Sequence, residues 1–377
     1  MRKDWEYKKL GEVATFNRGL TYSGKDEVDF SENIVLRSNN IDIDSNTLNL
    51  NELKYISDEI IIPKDKRLKR NSIFICMSNG SKQHLGKVAF IDKDYSYAFG
   101  GFMGLISPEE KSLIPKFLYY FLCSTKFKLF LTIIGNGANI NNIKFSDISK
   151  VNLPLPQKST QLSIVAELNK INELIQLKKQ QLKDYDQLAQ SIFYEMFGDP
   201  VENEKGWEVK KLGDLCTIFA GGDKPNDTRQ FLDEEYKYPV IANGDGNKGV
   251  LGYTKNCKVK EDAVTIGARG ASIGNCRIVK NGFTPAVRLL TLIPGAFLNC
   301  SYLFYIVKGL DYKQNGAGQA QLTVPNIKIE TVPLPPLPLQ QQFAARIEAI
   351  ERQKQQVSET IKDLETLLAS RMQYWFD

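Results

Sequence analysis

Between Ile164 and Met196 the apolar positions recur in alternating steps of four and three: Ile164, Leu168, Ile171, Ile175, then Leu182, Tyr185, Ala189, Ile192 and Met196, interrupted at Lys178. Phe343, Ile347, Ile350, Val357, Ile361, Leu364, Leu368 and Trp375 repeat the pattern near the C-terminus, interrupted at Lys354. Gln, Lys, Glu and Asp dominate the positions between, so each segment predicts a helix with one heptad-spaced apolar seam. Each helix spans about 38 residues, on the order of 57 Å at 1.5 Å per residue. Two seams of equal length and phase predict that the helices pair with each other; the alternative is two amphipathic helices lying on separate domains. Ser159 and Thr160 predict an N-cap for the first helix. Gly198 and Pro200, in "FGDP", predict its end.

The remaining segments, 1–156 and 200–335, predict globular units of mixed α/β composition. Short apolar runs flanked by glycine-rich turns read as strands, among them "SIFICM" (72–77), "KVAFI" (87–91) and "DAVTIG" (262–267). "PKFLYYFLCSTKFKLFL" (115–131) and "CSYLFYIVKGL" (300–310) read as buried helices. The predicted fold class is α+β. Two mixed α/β domains, 1–156 and 200–335, alternate with long helical segments, 157–199 and 336–377.

The two halves echo each other. "NGANINNIKFSDISKVNLPLP" begins at Asn136, and "NGAGQAQLTVPNIKIETVPLP" begins 179 residues later at Asn315. The same offset places Ile164, Leu168 and Ile171 on Phe343, Ile347 and Ile350, and Phe197 on Phe376. "WEYKKLGEV" at Trp5 returns as "WEVKKLGDL" at Trp207, an offset of 202, so the first copy holds 23 more residues between its two echoes. A repeat this long is a domain pair and not a solenoid, whose units run about 20–50 residues. The "LPLP" and "VPLPPLP" stretches predict stiff, extended leads into the helices.

Charge and chemistry narrow the function. The chain has 377 residues, 25% of them charged, with a net charge of +5, compatible with a nucleic-acid partner but too mild to identify one. No apolar run approaches the roughly 18 residues that span a bilayer, and the N-terminus lacks the apolar core of a signal peptide. The six cysteines have no CxxC or regular spacing. A cytoplasmic protein without disulfides or zinc is the expectation. The single histidine, His84, cannot build a histidine metal cluster, and no Ser or Cys has an evident base partner. "GDGNKG" (244–249) matches the spacing of a dinucleotide fingerprint, but "VLGYTKN" after it does not read as the required helix. There is no phosphate loop and no Asn/Asp-Pro-Pro-aromatic methyltransferase motif. No catalytic site and no cofactor is expected.

Polar loops are what remains. "SNGSKQHLGK" (78–87) brings Asn79, Ser81, Lys82, Gln83, His84 and Lys87 into one turn-rich segment. "GARGASIGN" (267–275) holds Arg269 and Ser272 at the comparable place in the second half, with Asn243 and Lys248 upstream. Arg18, Arg37, Asn39, Asn40 and the basic run "PKDKRLKR" (63–70) are further candidates. Arg and Lys read guanine edges, Asn and Gln read adenine, and small residues bring backbone amides to phosphates. The basic run could neutralise phosphates, and the alternative reading for each of these segments is a plain solvated turn or edge.

With both pairs of echoes and the closing "FYEMFGD" and "MQYWFD" in place, the chain resembles the specificity (S) subunit of type I restriction–modification enzymes over nearly its whole length. The resemblance implies two target recognition domains on double-stranded DNA, each reading half of a split site. Because the two units differ in sequence between their echoes, the site is expected to be non-palindromic. It also implies that the two helices form an antiparallel coiled coil holding them apart. It implies partners too: two methyltransferase (M) subunits and restriction (R) subunits, which would carry S-adenosylmethionine, ATP and Mg²⁺, leaving this chain a non-catalytic subunit of a DNA adenine methyltransferase and endonuclease complex. No base-contacting residue carries over from the family. The competing expectation is a non-enzymatic two-domain coiled-coil scaffold that binds proteins.

Overall fold

A computed structural model of the chain describes residues 5–81, 84–135, 142–244, 249–310 and 321–377. It divides into two units, Met1–Lys178 with Thr360–Asp377 (unit 1) and Lys179–Glu359 (unit 2). Within each, the motif that opens the unit is hydrogen-bonded to the motif that closes it. In unit 1, Glu6–Lys9 runs antiparallel to Asn152–Leu155, with Glu6 opposite Leu155. In unit 2, Glu208–Lys211 pairs with Thr331–Leu334, with Glu208 opposite Leu334. The proline-containing stretches are therefore strands. A two-stranded ladder tolerates Pro154 and Pro333 because each strand has a free edge.

The same strand order follows in both units. Unit 1 builds a four-stranded antiparallel sheet in the order Ala14–Arg18, Met103–Pro108, Ser72–Cys76, Val88–Ile91. Unit 2 repeats it with Cys216–Ala220, Leu290–Pro294, Ala263–Ile266 and Cys276–Val279. Alternation along a strand sends successive side chains to opposite faces. Ile73 and Ile75 accordingly join the helix-side core of unit 1, whereas Phe74 and Cys76 face a second core. A second, mixed sheet has the order Glu27–Val28, Lys54–Ile56, Asn33–Leu36, Ala98–Phe99 in unit 1. Val250–Thr254, Tyr238–Ile241 and Thr284–Pro285 repeat its last three strands in unit 2.

The extra residues of the first copy are shed gradually. The offset is 202 between the strands starting at Ala14 and Cys216, 186 between those at Ala98 and Thr284, and 179 between those at Asn152 and Thr331. The predicted helix at 115–131 is in fact two, Pro115–Cys123 and Thr125–Gly135, bent by 62°. Ser124 makes the break. Its hydroxyl donates to the Phe121 carbonyl at 2.6 Å and accepts from the Phe127 amide at 3.3 Å, ending one helix and capping the next. Among the described residues no single helix is long and apolar enough to cross a membrane.

The long helices span Lys158–Phe197 and Leu337–Phe376, 40 residues each. The first starts earlier than its sequence suggests, so Ser159 and Thr160 lie in the first turn and do not cap it. Gly198, with φ of 77°, ends it as expected. Each unit takes the first half of one helix and the last half of the other. In unit 2, Phe193 and Phe197 lie 5.7 and 5.3 Å from Phe343, and Asp186 pairs with Lys354 at 2.8 Å, so the two halves run in opposite directions. In unit 1, Glu167 pairs with Arg371 and accepts from the Trp375 indole at 3.0 Å. The Arg371 hydrogen bond holds the Glu167 carboxyl below its ordinary pKa. Phe376 fills the core of unit 1 between Phe117 and Phe121, as Phe197 fills that of unit 2 against Tyr302.

One buried polar residue at each helix start repeats at the 179 offset. Gln161 is fully buried; it donates to the carbonyls of Ser112 (3.0 Å) and Pro156 (2.8 Å) and accepts from the Ile114 amide at 2.8 Å. Gln340, also fully buried, donates to Phe297 (3.1 Å) and Pro335 (2.8 Å) and accepts from Asn299 at 2.8 Å. Gln161→Ala strands three backbone groups, at about 1–3 kcal/mol for each that stays dry. Its expected effect is a lower urea midpoint with loss of hydrogen-exchange protection concentrated in unit 1, and Gln340→Ala should do the same to unit 2. Unchanged midpoints in both variants would contradict the clamp.

Candidate nucleic-acid interface

The two polar loops singled out in the sequence occupy the same hairpin of their units. Residues 77–87 join Ser72–Cys76 to Val88–Ile91, and 267–275 join Ala263–Ile266 to Cys276–Val279. In unit 1 the start of this hairpin borders a cleft of about 870 Å³, lined by Arg18, Arg37, Asn39, Asn79 and Phe102 among others. The structure thus brings together four of the sequence candidates, Arg18, Arg37, Asn39 and Asn79, from three separate parts of the chain.

Much of the polar capacity around the cleft is spent on shaping it. Asn79 donates to the Ser38 hydroxyl at 3.0 Å and accepts from the Ser81 amide at 2.9 Å, tying the hairpin to the turn that carries Arg37 and Asn39. Asn40 is buried, and its carboxamide bonds Arg37, Asn49 and Glu52 backbone groups. Arg18 Nε donates to the Gly101 carbonyl at 3.0 Å. The side chains of Arg37, Asn39 and Ser81 are exposed. Lys87 turns inward: its ammonium donates to the Ile41 carbonyl at 2.8 Å, and burial pushes its pKa down. In this conformation Lys87 braces the loop and is not presented to a phosphate. His84 is partly buried, and its Nδ1 has no hydrogen-bond partner among the described residues. Lys82 and Gln83 lie outside the described residues.

The basic run at 63–70 is not one cationic edge. Lys66 donates to the Arg18 carbonyl at 2.8 Å and Arg67 to the Ser96 carbonyl, while Lys64, Lys69 and Arg70 are exposed.

In unit 2, Asn243 is a clamp. It donates to the Val287 carbonyl at 2.8 Å and accepts from the Ala268 amide at 2.8 Å, joining two loops. Arg269 is exposed where the hairpin turns, and Ser272 donates back to the Arg269 carbonyl at 3.0 Å. Lys248 and most of "GDGNKG" lie outside the described residues. The strand Val250–Thr254 follows that motif where a dinucleotide site would need a helix. Arg277, which the sequence reading passed over, donates to the Ala242 and Gly244 carbonyls and fixes the loop from below. Also missed were Phe102 and Arg288, exposed at the tips of a second pair of loops; glycine neighbours, as in "GGFMG", are the one local signal for the first of them. Val287 and Arg288 hold left-handed φ angles of 52° and 59°, which cost an L residue on the order of 1–3 kcal/mol each.

Comparison with known proteins agrees with this layout. The family model described as type I restriction modification DNA specificity domain matches residues 2–184 and again 204–366. A protein of Mycoplasma pneumoniae named as a type I specificity subunit is 32% identical over 251 residues, covering 66% of this chain and 67% of its own. The MjaIX specificity subunit of Methanocaldococcus jannaschii is 27% identical over 387 residues, covering 92% and 87%. A crystal structure of a type I restriction–modification S subunit from M. genitalium shares the fold, with a TM-score of 0.57 at 15% identity over 99% of this chain and 96% of that one.

Arg269 is exposed where the 267–275 hairpin turns. Arg269→Ala should weaken binding of a cognate duplex by roughly 1–3 kcal/mol if it meets a base edge, and leave the urea midpoint in place. Titrating labelled duplex against both proteins checks this; equal affinities would assign the readout to other loops.

Proposed function

Because the chain belongs to the type I restriction modification DNA specificity family, we propose that it is the non-catalytic specificity subunit that reads a bipartite, non-palindromic site on double-stranded DNA. Each unit reads one half-site. The two long helices form an antiparallel coiled coil that sets the spacing, and two M subunits, joined by R subunits, dock on this frame. S-adenosylmethionine, ATP and Mg²⁺ are then the partners' cofactors.

The observation that carries this reading is the repetition of one scaffold with different loop chemistry. The opening and closing strands, sheet order and buried glutamine recur in both units, whereas the exposed loop residues do not. A side chain discriminates only the few base pairs it reaches. Two readers on a spacer add their energies and reject sites of the wrong spacing. Differing loops favour differing half-sites. Binding to duplex DNA that weakens steeply with salt would separate this reading from a protein-binding scaffold.

The spacing tests the reading most sharply. Four helix-forming residues inserted after Gln180, with four more after Glu359 to keep the paired halves in step, add about 6 Å of rise and roughly 40° beyond a full turn. Coiled coils absorb such an insertion by local unwinding. At roughly 3.4 Å per base pair, the gap in the methylated motif of cells expressing the variant with its M partner should lengthen by one or two base pairs, with both half-sites unchanged. An active variant with the original gap would show that the helices do not set the spacing.

A further inference from the structure

In each unit one loop is held by three matching backbone hydrogen bonds and carries a different exposed side chain. The tips differ, since in unit 2 Val287 N and Arg288 N donate to the Gly222 and Gly221 carbonyls, whereas in unit 1 the Phe102 carbonyl accepts from Met77 N and Ser78 N. In unit 1 the loop runs from Phe99 to Met103. Gly100 N donates to the Leu36 carbonyl (2.9 Å), Met103 N to Gly100 (2.8 Å), and Gly19 N to Met103 (3.1 Å). In unit 2 it runs from Pro285 to Leu289. Ala286 N donates to the Ile241 carbonyl (2.7 Å), Leu289 N to Ala286 (3.1 Å), and Gly221 N to Leu289 (2.8 Å). Leu20 bridges Gly100 in parallel, and Gly222 bridges Ala286 in the same way. The facing backbone is glycine in both units because nothing larger fits. A Cβ on Gly19 would lie 2.1 Å from the Gly100 carbonyl oxygen, and one on Gly221 would lie 2.7 Å from the Ala286 nitrogen.

This register makes Gly101 the counterpart of Val287, and Phe102 the counterpart of Arg288. A side chain grips the carbonyl just before each tip: Arg18 donates to Gly101 at 3.0 Å, and Asn243 donates to Val287 at 2.8 Å. The tips themselves point outward. Phe102 is 70% exposed, a large apolar surface on the rim of the cleft that holds Arg37 and Asn39. Arg288 is exposed as well and follows Val287, itself 47% exposed, on a left-handed backbone with φ of 59°. Strained backbone that the surrounding structure over-determines clusters at functional sites. Here it marks the unit 2 tip, while Gly101 and Phe102 of unit 1 hold no left-handed φ.

Taking the reading of the chain as a two-unit DNA binder as given, we propose that Phe102 and Arg288 are equivalent specificity-determining residues, each meeting a base edge in its unit's half-site. The guanidinium of Arg288 suits the O6 and N7 acceptors of guanine, and the ring of Phe102 suits the methyl group of thymine. The two half-sites then differ in part because one aimed position carries an aromatic ring in one unit and a cation in the other.

The test is methylome sequencing of cells expressing the full chain with its M subunits, as wild type and as the Arg288→Ala, Arg288→Asn and Phe102→Ala variants. Asn accepts left-handed backbone, so Arg288→Asn guards against an effect of Ala on folding. Arg288→Ala should relax one position of one half-site, with discrimination there falling roughly 5- to 150-fold, about 1–3 kcal/mol at tenfold per 1.4 kcal/mol. Arg288→Asn should relax the same position or move its preference from guanine to adenine. Phe102→Ala should relax one position of the other half-site. Unchanged motifs in all variants would overturn the proposal. So would, in titrations of the purified complexes with duplex DNA at several salt concentrations, a loss uniform across sequences with a shallower salt dependence, which marks a phosphate contact. Absence of any specific methylated motif with the wild-type complex would instead count against the two-unit reading itself.

Discussion

Gln161 and Gln340 are each the point where a long helix is fixed to the globular unit it leaves. Their carboxamides are fully buried and spend donors and acceptor on three backbone groups apiece. Those groups belong to Pro156 or Pro335, just past the closing strand, and to the loop before the core helix. One side chain therefore sets the angle between strand, loop and helix. An apolar residue there would leave the backbone groups dry and unpaired, while a charged one would carry a desolvation penalty. The opening strand completes the frame by pairing with the closing strand. A unit built this way has both chain ends at one place and its loops free to vary elsewhere.

The rest of each unit follows from that closure. Phe197 and Phe376, at the ends of the two helices, are core residues of units 2 and 1 and are not seam residues. The helix ends therefore grip the domains. Trp5 stacks on Trp375 at 6.3 Å, and the Trp207 indole donates to the Phe197 carbonyl at 2.9 Å, so the tryptophan of each opening motif packs on a helix end. The repeated sequence motifs are thus the parts that fasten each unit, whereas the sequence between them supplies the surface in which the two units differ.

How much was legible depended on whether a feature left a periodic or repeated trace. The helices, the opening and closing motifs and the buried strands all did. Of the predicted seam, Ile164 and Leu168 are buried in the core of unit 1 and Ile347 and Ile350 in that of unit 2. Gln161 and Gln340 left none, because a glutamine in a Gln-rich helix looks like any solvated position. The break at Ser124 was hidden by the apolar residues on both sides of it. Loop chemistry was the least legible. Asn79, Lys87 and Asn243 have the right residue types for base or phosphate contact, yet each is bonded to its own unit, and nothing local in the sequence separates a brace from a reader. Phe102 and Arg288 became visible only when the backbone bonds of the two units were matched one against the other.

The central claim is that the units are independent readers on a common frame. The direct measurement is to replace residues 200–335 with the corresponding unit of a relative that has a different target, and to sequence the methylome of cells making the hybrid with its M subunits. The shared opening strand, closing strand and buried glutamine should let the new unit seat without disturbing the other. The account predicts a motif in which one half-site takes the relative's bases while the other half-site and the gap stay as they were. A hybrid that methylates with both half-sites altered would contradict it.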